Sequence, residues 1–271
     1  MNNTKDPHTP ILGGIKGIIF DYGGTLDTCG QHWGKKLWHA YERQHVPVSE
    51  QQFRDAYVYG ERTLGRNPII KPDYTFHRTL ATKIRLEMEH LCTHGAWDAS
   101  EEEFKQKHQA VLEDVYAEVV ATTAHSAEVL TQLSERFPMV LVSNFYGNIE
   151  CVLQEFGLRK FFPRIVESAV VGIRKPDPRI FELGVETLRS SDVEEKTQNS
   201  PLSTTLNSKL STLNSNEVLV VGDSFYKDIL PAQKAGCRTA WFKGEGWTDE
   251  TYDETVPDMV ITDLADLLVI K

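Results

Sequence analysis

The sequence predicts an α/β fold: a doubly wound parallel sheet interrupted by an all-helical insert. Three observations carry that expectation. Short apolar runs at 17–20, 140–142 and 218–221 each end in small, polar or acidic residues, as buried strands do when they deliver the chain into a turn. Between the first and second runs, residues 29–124 show helical periodicity and no strand pattern. Beyond residue 126 strands and helices alternate, which calls for parallel pairing with crossover helices on both faces.

Gly17-Ile18-Ile19-Phe20 is the first strand and leads into Asp21-Tyr22-Gly23-Gly24-Thr25. In the insert, Ser49 and Gln52 form a capping-box pattern ahead of Phe53, Ala56 and Tyr57; Ser100 and Glu103 repeat it ahead of Phe104 and Val111. Pro68 to Pro72 interrupts, and a helix is expected from about Asp73 to Cys92. A separate helix is expected from Ser126 to near Phe137, followed by the strand Val140–Val142 and a helix through Val152, Leu153 and Phe156. Ile165–Val171 reads as a strand. Asp177-Pro178 opens a helix, with Asp as N-cap and Pro at the first helical position. Val218–Val221 is strongly apolar, and the helix after it runs through Ile229 and Ala232 to Gly236. Thr239–Phe242 and Val260-Ile261 complete the strands. Residues 198–216 are rich in Ser, Thr and Asn and hold a near-duplicate, Leu202–Ser208 and Leu210–Ser215; this composition buries little and is expected to form a mobile surface loop. The expected division is 1–28 with 125–271 for the sheet-bearing core and 29–124 for the helical insert.

Of the 271 residues, 29 are Lys or Arg and 39 are Asp or Glu, a net charge of −10 with no basic run. Nucleic acid is therefore not expected as a partner, because a duplex-binding surface needs clustered cations. A small anionic substrate is compatible if local potential overrides the global charge. Cys29, Cys92, Cys151 and Cys237 are far apart, so neither a disulfide framework nor a thiolate zinc site is expected, and a reducing compartment fits. No run of apolar residues is long enough to span a membrane, and Met1–Leu12 has no apolar stretch after a basic start. The cytoplasm is the expected location, and no protein partner is readable.

In doubly wound sheets, active sites lie beyond the carboxyl ends of the strands. That rule selects four segments. Asp21 ends the first strand in a glycine turn, where a carboxylate meets an electrophile and backbone N–H groups hold oxyanions; an Asp that merely caps a turn reads the same way. Ser143-Asn144 follows a strand and offers hydroxyl and amide groups, or a simple turn. Lys175, in Arg174-Lys175-Pro176-Asp177-Pro178, puts an ammonium just before a rigid helix start, or is a solvated surface lysine. Asp223 and Asp228, in Gly222-Asp223-Ser224-Phe225-Tyr226-Lys227-Asp228, suit a hard, oxygen-preferring cation, or complement a helix dipole.

Taken together and in this order, the four segments resemble the haloacid dehalogenase superfamily. The resemblance covers residues 16–28 and about 126–262, and the insert at 29–124 sits where one large subclass places its cap. It implies a Rossmann-like core with a helical cap, and an Asp21 that attacks phosphorus to form an aspartyl-phosphate. Asp21, the Gly23 carbonyl and Asp223 would hold Mg²⁺, with Asp228 in support. Ser143 and Lys175 would be catalytic and, with Asn144 and Thr25, would bind substrate, Thr25 by fixing the first loop.

One departure matters. Phosphatases of the superfamily usually carry a second Asp two residues after the nucleophile; here that residue is Gly23. The backbone contact to a metal survives, but the side-chain acid does not. Asp27 lies further along, and the Tyr22 phenol is a poor substitute base. The leading expectation is a Mg²⁺-dependent phosphatase of a small phosphorylated metabolite. The alternative is a catalytically impaired phosphate-binding or regulatory protein. A metal-free 2-haloacid dehalogenase is disfavoured by the paired Asp223 and Asp228. His90, Cys92 and His94 do not share a helix face in the way a metal site needs. Trp241 and Trp247 flank a Gly-rich loop and receive no role from the sequence.

Overall fold

The computed structural model describes residues 13–190, 212–248 and 251–270. Six strands, β1 (Gly17–Phe20), β2 (Met139–Ser143), β3 (Arg164–Glu167), β4 (Val218–Gly222), β5 (Arg238–Phe242) and β6 (Met259–Ile261), form one sheet in the order β3-β2-β1-β4-β5-β6. Every pairing is parallel. Each residue of β1, β2 and β4 is buried, which is why these strands read as continuous apolar runs rather than as alternation. Phe20 pairs with both Leu141 and Val221. The three central strands therefore end at nearly one level, and Asp21, Ser143 and Asp223 emerge along one edge of the sheet.

The pleat sends Ile18, Phe20, Leu141, Leu219 and Val221 to one face and Ile19, Val140, Val142 and Val220 to the other. The second face is covered by α7 (Arg179–Ser190) through Ile180, Phe181, Val185 and Leu188. Gly184 allows this approach, since a Cβ there would lie 2.9 Å from both Ile19 and Val142. Elsewhere the core carries α5 (Ile149–Glu155), α6 (Ser168–Val171), a π-helical turn (Phe225–Ile229) and α8 (Leu230–Lys234).

The insert is helical throughout its described length: α1 (Trp33–Arg43), α2 (Glu50–Arg66), α3 (Phe76–Thr93) and α4 (Glu101–Ser134). Ser49 and Gln52 form the expected capping box of α2, and the Ser100 hydroxyl accepts from the Glu103 N–H at the start of α4. The expectation of a fresh helix at Ser126 is not met. Helix α4 runs 34 residues without a break; it holds no Gly or Pro to stop it. Ser126 is no cap, because its hydroxyl donates to the Leu26 carbonyl at 2.8 Å. The strand expected over Ile165–Val171 stops at Glu167, where α6 takes over and ends at Gly172 with φ 72°. Of the segment expected as a loose loop, residues 198–211 lie outside the described residues. Its end is anchored: Leu213 is buried and its carbonyl accepts from Arg189 Nε at 2.7 Å. Among the described residues no helix is long and apolar enough to cross a membrane.

The loop after β5 holds the insert against the sheet. Gly244 packs so closely on Gly30 that a Cβ would lie 2.4 Å from its backbone. The Trp247 ring lies 4.9 Å from that of Tyr57 at a tilt of 41°, with the Arg54 guanidinium 4.2 Å from its ring centroid. Its indole covers Gly34 of α1, where a Cβ would fall 1.9 Å from the ring. Gly34→Ala must displace Trp247, so despite its better helix propensity it is expected to destabilise by about 1–3 kcal/mol, read as a lowered Tm with altered tryptophan fluorescence. An unchanged Tm would show that the indole is not seated on Gly34.

Candidate active site

The loop after β1 is shaped by its neighbours. The Asp21 N–H donates to the Val221 carbonyl at 2.9 Å, which extends the β1–β4 ladder by one residue and fixes where the carboxylate leaves the sheet. Gly24 has φ 99°, and a Cβ there would lie 2.3 Å from the Asp223 carboxyl carbon, so this position requires glycine twice over. Gly23 is different. It lacks a positive φ, and a Cβ would meet only Trp33, at 3.7 Å, an ordinary contact. Neither backbone strain nor crowding explains the glycine there.

A buried charge cluster occupies the sheet edge. Lys175 Nζ lies 2.7 Å from Asp21 Oδ1 and 2.6 Å from Asp228 Oδ1. Asp228 Oδ2 accepts from the Ser224 N–H at 3.0 Å, so both of its oxygens are engaged. Asn144 clamps the lysine from β2: its Nδ2 donates to the Lys175 carbonyl at 3.1 Å and its Oδ1 accepts from the Lys175 N–H at 2.9 Å. The Asn144 amide thus positions Lys175. Thr25 Oγ1 accepts from the Asp223 N–H at 3.1 Å and donates a long bond of 3.4 Å to Asp223 Oδ1, tying the first loop to the fourth strand. Ser143 is buried at the cavity wall, and its hydroxyl has no partner among the described residues.

Burial pushes Asp21 up to about 6, against the pull of Lys175 and with added repulsion from Asp228. Burial, then Asp228 and Asp21, raise Asp223 well above the usual carboxylate range. Burial opposes the Lys175 ammonium, but Asp21 and Asp228 outweigh it and raise its pKa. Three carboxylates thus share one ammonium. Oxygens of Asp21, Asp223 and Asp228 all lie within 4.8 Å of one another, and Asp223 is the carboxylate least engaged by protein donors. Hard oxygen ligands in excess of the available positive charge fit a divalent cation such as Mg²⁺.

Asp27, which the sequence left undirected, is fully buried at the wall of the same cavity. Its Oδ1 accepts from the Gly24 N–H at 2.7 Å and its Oδ2 from Trp33 Nε1 at 3.1 Å. Burial pushes it up to about 7, with a further contribution from Asp21. The indole of Trp33 therefore stands on the side of the loop left open by Gly23. The cavity, ≈ 1450 Å³, extends from Asp21 across Trp33 to the insert helices.

The model for haloacid dehalogenase-like hydrolases matches residues 15–236. The chain belongs to this family. No curated protein matches it. Among solved structures, the magnesium-bound hydrolase YfnB from Bacillus subtilis is 19% identical, with 93% of this chain and 96% of that chain covered and a TM-score of 0.53. A dehalogenase captured with an intermediate is 16% identical over 94% and 96%, TM-score 0.54. The L-2-haloacid dehalogenase of Xanthobacter autotrophicus is 16% identical over 94% and 97%, TM-score 0.50. At these identities the likeness shows the fold alone.

Within this haloacid dehalogenase-like site, sequence reasoning reached Asp21, Thr25, Ser143, Asn144, Lys175, Asp223 and Asp228, and the structure gathers all of them, with Gly23, around one sheet edge. It missed Trp33, Glu61, Lys83 and Trp247 on the cavity wall. One signal was available: Lys83 and Glu87 fall on the buried stripe of α3 formed by Phe76, Leu80, Ile84 and Met88.

Lys175→Met tests the charge cluster. Without the ammonium, Asp21 and Asp228 stay buried and unpaired, and the expected loss is about 3–5 kcal/mol near neutral pH. A carboxyl whose folded-state pKa lies above its unfolded one destabilises as pH rises through that range, from about 4 past 6 for Asp21. Removing Lys175 extends this window upward. The Tm gap between variant and wild type should therefore be widest above neutrality and shrink below pH 5. A gap independent of pH would mean that the lysine contributes packing only.

Proposed function

We propose that the protein is a Mg²⁺-dependent phosphatase that hydrolyses a small phosphorylated metabolite through an aspartyl-phosphate on Asp21. The observation that carries this is Asp21 held 2.7 Å from the buried Lys175 ammonium, beside an under-neutralised Asp223. An Asp21 oxygen attacks phosphorus, the bond to the leaving oxygen breaks, and the phosphoryl group moves to the carboxylate. Water then attacks that phosphorus, releasing phosphate and restoring Asp21. Lys175 and the unpartnered Ser143 hydroxyl take the phosphoryl oxygens, while Asn144, Thr25 and Asp228 hold Lys175 and the two loops in place. Asp21, the Gly23 carbonyl and Asp223 would hold Mg²⁺, with Asp228 behind, and the ion would offset the phosphate charge. The magnesium reported for YfnB supports this. The four free cysteines agree with a reducing, cytoplasmic setting.

Chelation separates this reading from a dehalogenase, the activity of two of the structural neighbours. Millimolar Mg²⁺ should raise Tm by mass action and Asp223→Asn should remove the shift. Phosphatase turnover should vanish with chelator. Haloacid turnover that survives chelation would instead mean metal-free dehalogenation.

A second reading, a phosphate-binding member with impaired turnover, is favoured by one observation: position 23, where a family phosphatase would carry its acid–base carboxylate, is a glycine flanked by the Trp33 indole. The nearest carboxyl, Asp27, already accepts from Gly24 and Trp33. A positioned acid is worth about 10²–10⁴-fold to an alkoxide leaving group. Alkyl phosphates are therefore expected to turn over weakly, and aryl and acyl phosphates better. A Cβ at Gly23 meets only the indole, at ordinary contact distance, and the backbone there has no positive φ, so Gly23→Asp should fold and raise alkyl-phosphate kcat. Rapid alkyl turnover by the wild type, with no gain in the folded variant, would move the proton donor to another residue.

A further inference from the structure

The cavity wall opposite the nucleophile carries an ion pair that the phosphoryl chemistry does not use. Lys83, on α3, is 7% exposed and lines the same cavity as Asp21. Its ammonium is paired with Glu61 of α2 and lies 4.4 Å from the Tyr57 ring centroid and 5.9 Å from that of Trp33. Tyr146, in the loop after β2, donates its hydroxyl to the same Glu61 oxygen at 3.0 Å. Trp33, which bounds this pair, also bounds Gly23. The Trp33 indole thus lies between the Gly23 turn and the Lys83–Glu61 pair, and all of them line one cavity with Asp21.

Within the pair the two charges cancel. Burial pushes the Glu61 carboxyl up, but Lys83 and the Tyr146 hydroxyl outweigh it and hold it below the usual range, so Glu61 is ionised. Glu87, one turn beyond Lys83, is pushed up to about 8 by burial and stays protonated at neutral pH. His32 is pushed down to about 4 by burial, then by Lys227 and Lys83, and is neutral. Arg62 and Arg66 of α2 also reach the cavity, but they are exposed at its rim and attract any phosphate alike.

A lone lysine among aromatic rings would be a receptor for a carboxylate. A compensated one is not, because an incoming carboxylate must lose its hydration beside the like charge of Glu61. Hydrogen-bonding capacity of both kinds remains. The ammonium has three donors and one ionic partner, and the second Glu61 oxygen accepts no bond among the described residues. A hydroxyl or primary amide can donate to one and accept from the other.

Resting on the phosphatase reading above, we propose that the Lys83–Glu61 pair is a specificity subsite that selects leaving groups bearing a neutral hydroxyl or amide and rejects those bearing a carboxylate. The test compares 4-(hydroxymethyl)phenyl phosphate with 4-carboxyphenyl phosphate, with Mg²⁺, at pH 6.5, where Glu87 cannot take over the role of Glu61. Wild type is expected to favour the hydroxymethyl substrate in kcat/KM by ~10-fold or more, Glu61→Gln to shrink that ratio by ~10–100-fold, and Lys83→Gln to widen it. Equal rates in the wild type, or one ratio in all three proteins, would overturn the proposal. Phenyl phosphate, which carries neither group, reports on the phosphatase reading by itself. If it is not turned over, that reading fails. The subsite is then decided by calorimetric binding of the two matching phosphonates to the same three proteins, with the same order of preference expected and its absence overturning the proposal.

Discussion

The site depends on one buried ammonium. Lys175 reaches Asp21 and Asp228 from a loop that belongs to neither strand, and every neighbouring device serves to hold it there. Asn144 grips its backbone from the end of β2, and the Ser224 N–H holds the far oxygen of Asp228. Desolvating a lysine is costly unless paired carboxylates compensate it. Here they outnumber it, and burial together with Asp228 and Asp21 raises Asp223 well above the usual carboxylate range. On the function proposed above, a divalent cation would relieve that repulsion.

Much of this was legible in the sequence because local rules dictated it. Strands buried on both faces must be continuously apolar, and parallel strands ending at one level must bring Asp21, Ser143 and Asp223 together. Two of the misreadings share a cause. Ser126 has the residue type of an N-cap, but its hydroxyl is used on Leu26, 100 positions away. Ile165–Val171 has β-branched residues at both ends, but its second half turns into a helix closed by Gly172. Leu213 sits in a polar tract and is nonetheless buried in the second core face. For Ser126 and Leu213 a tertiary contact overrode the local signal. The cavity wall was less legible still. Glu61 and Lys83 are on different helices and look like ordinary helix-surface charges until the helices pack.

Two adjacent glycines show how little residue type says alone. Gly24 is required by a left-handed backbone and by the closeness of Asp223, whereas Gly23 satisfies neither condition. The first belongs to the architecture of the loop. The second leaves a side open, and Trp33 uses that side to reach Asp27 and so joins the insert to the loop after β1.

Helix α4 has a mechanical consequence. At about 1.5 Å per residue its 34 residues extend for roughly 50 Å, beginning among the insert helices and ending beneath the sheet. Of the two chain crossings between insert and core, only the one near residues 27–32 is irregular; the other is a rod. A pair of flexible crossings would permit a clamshell. One rod and one tether instead constrain the insert, and the loop after β5 ties it to the core a third time through Gly244 and Trp247.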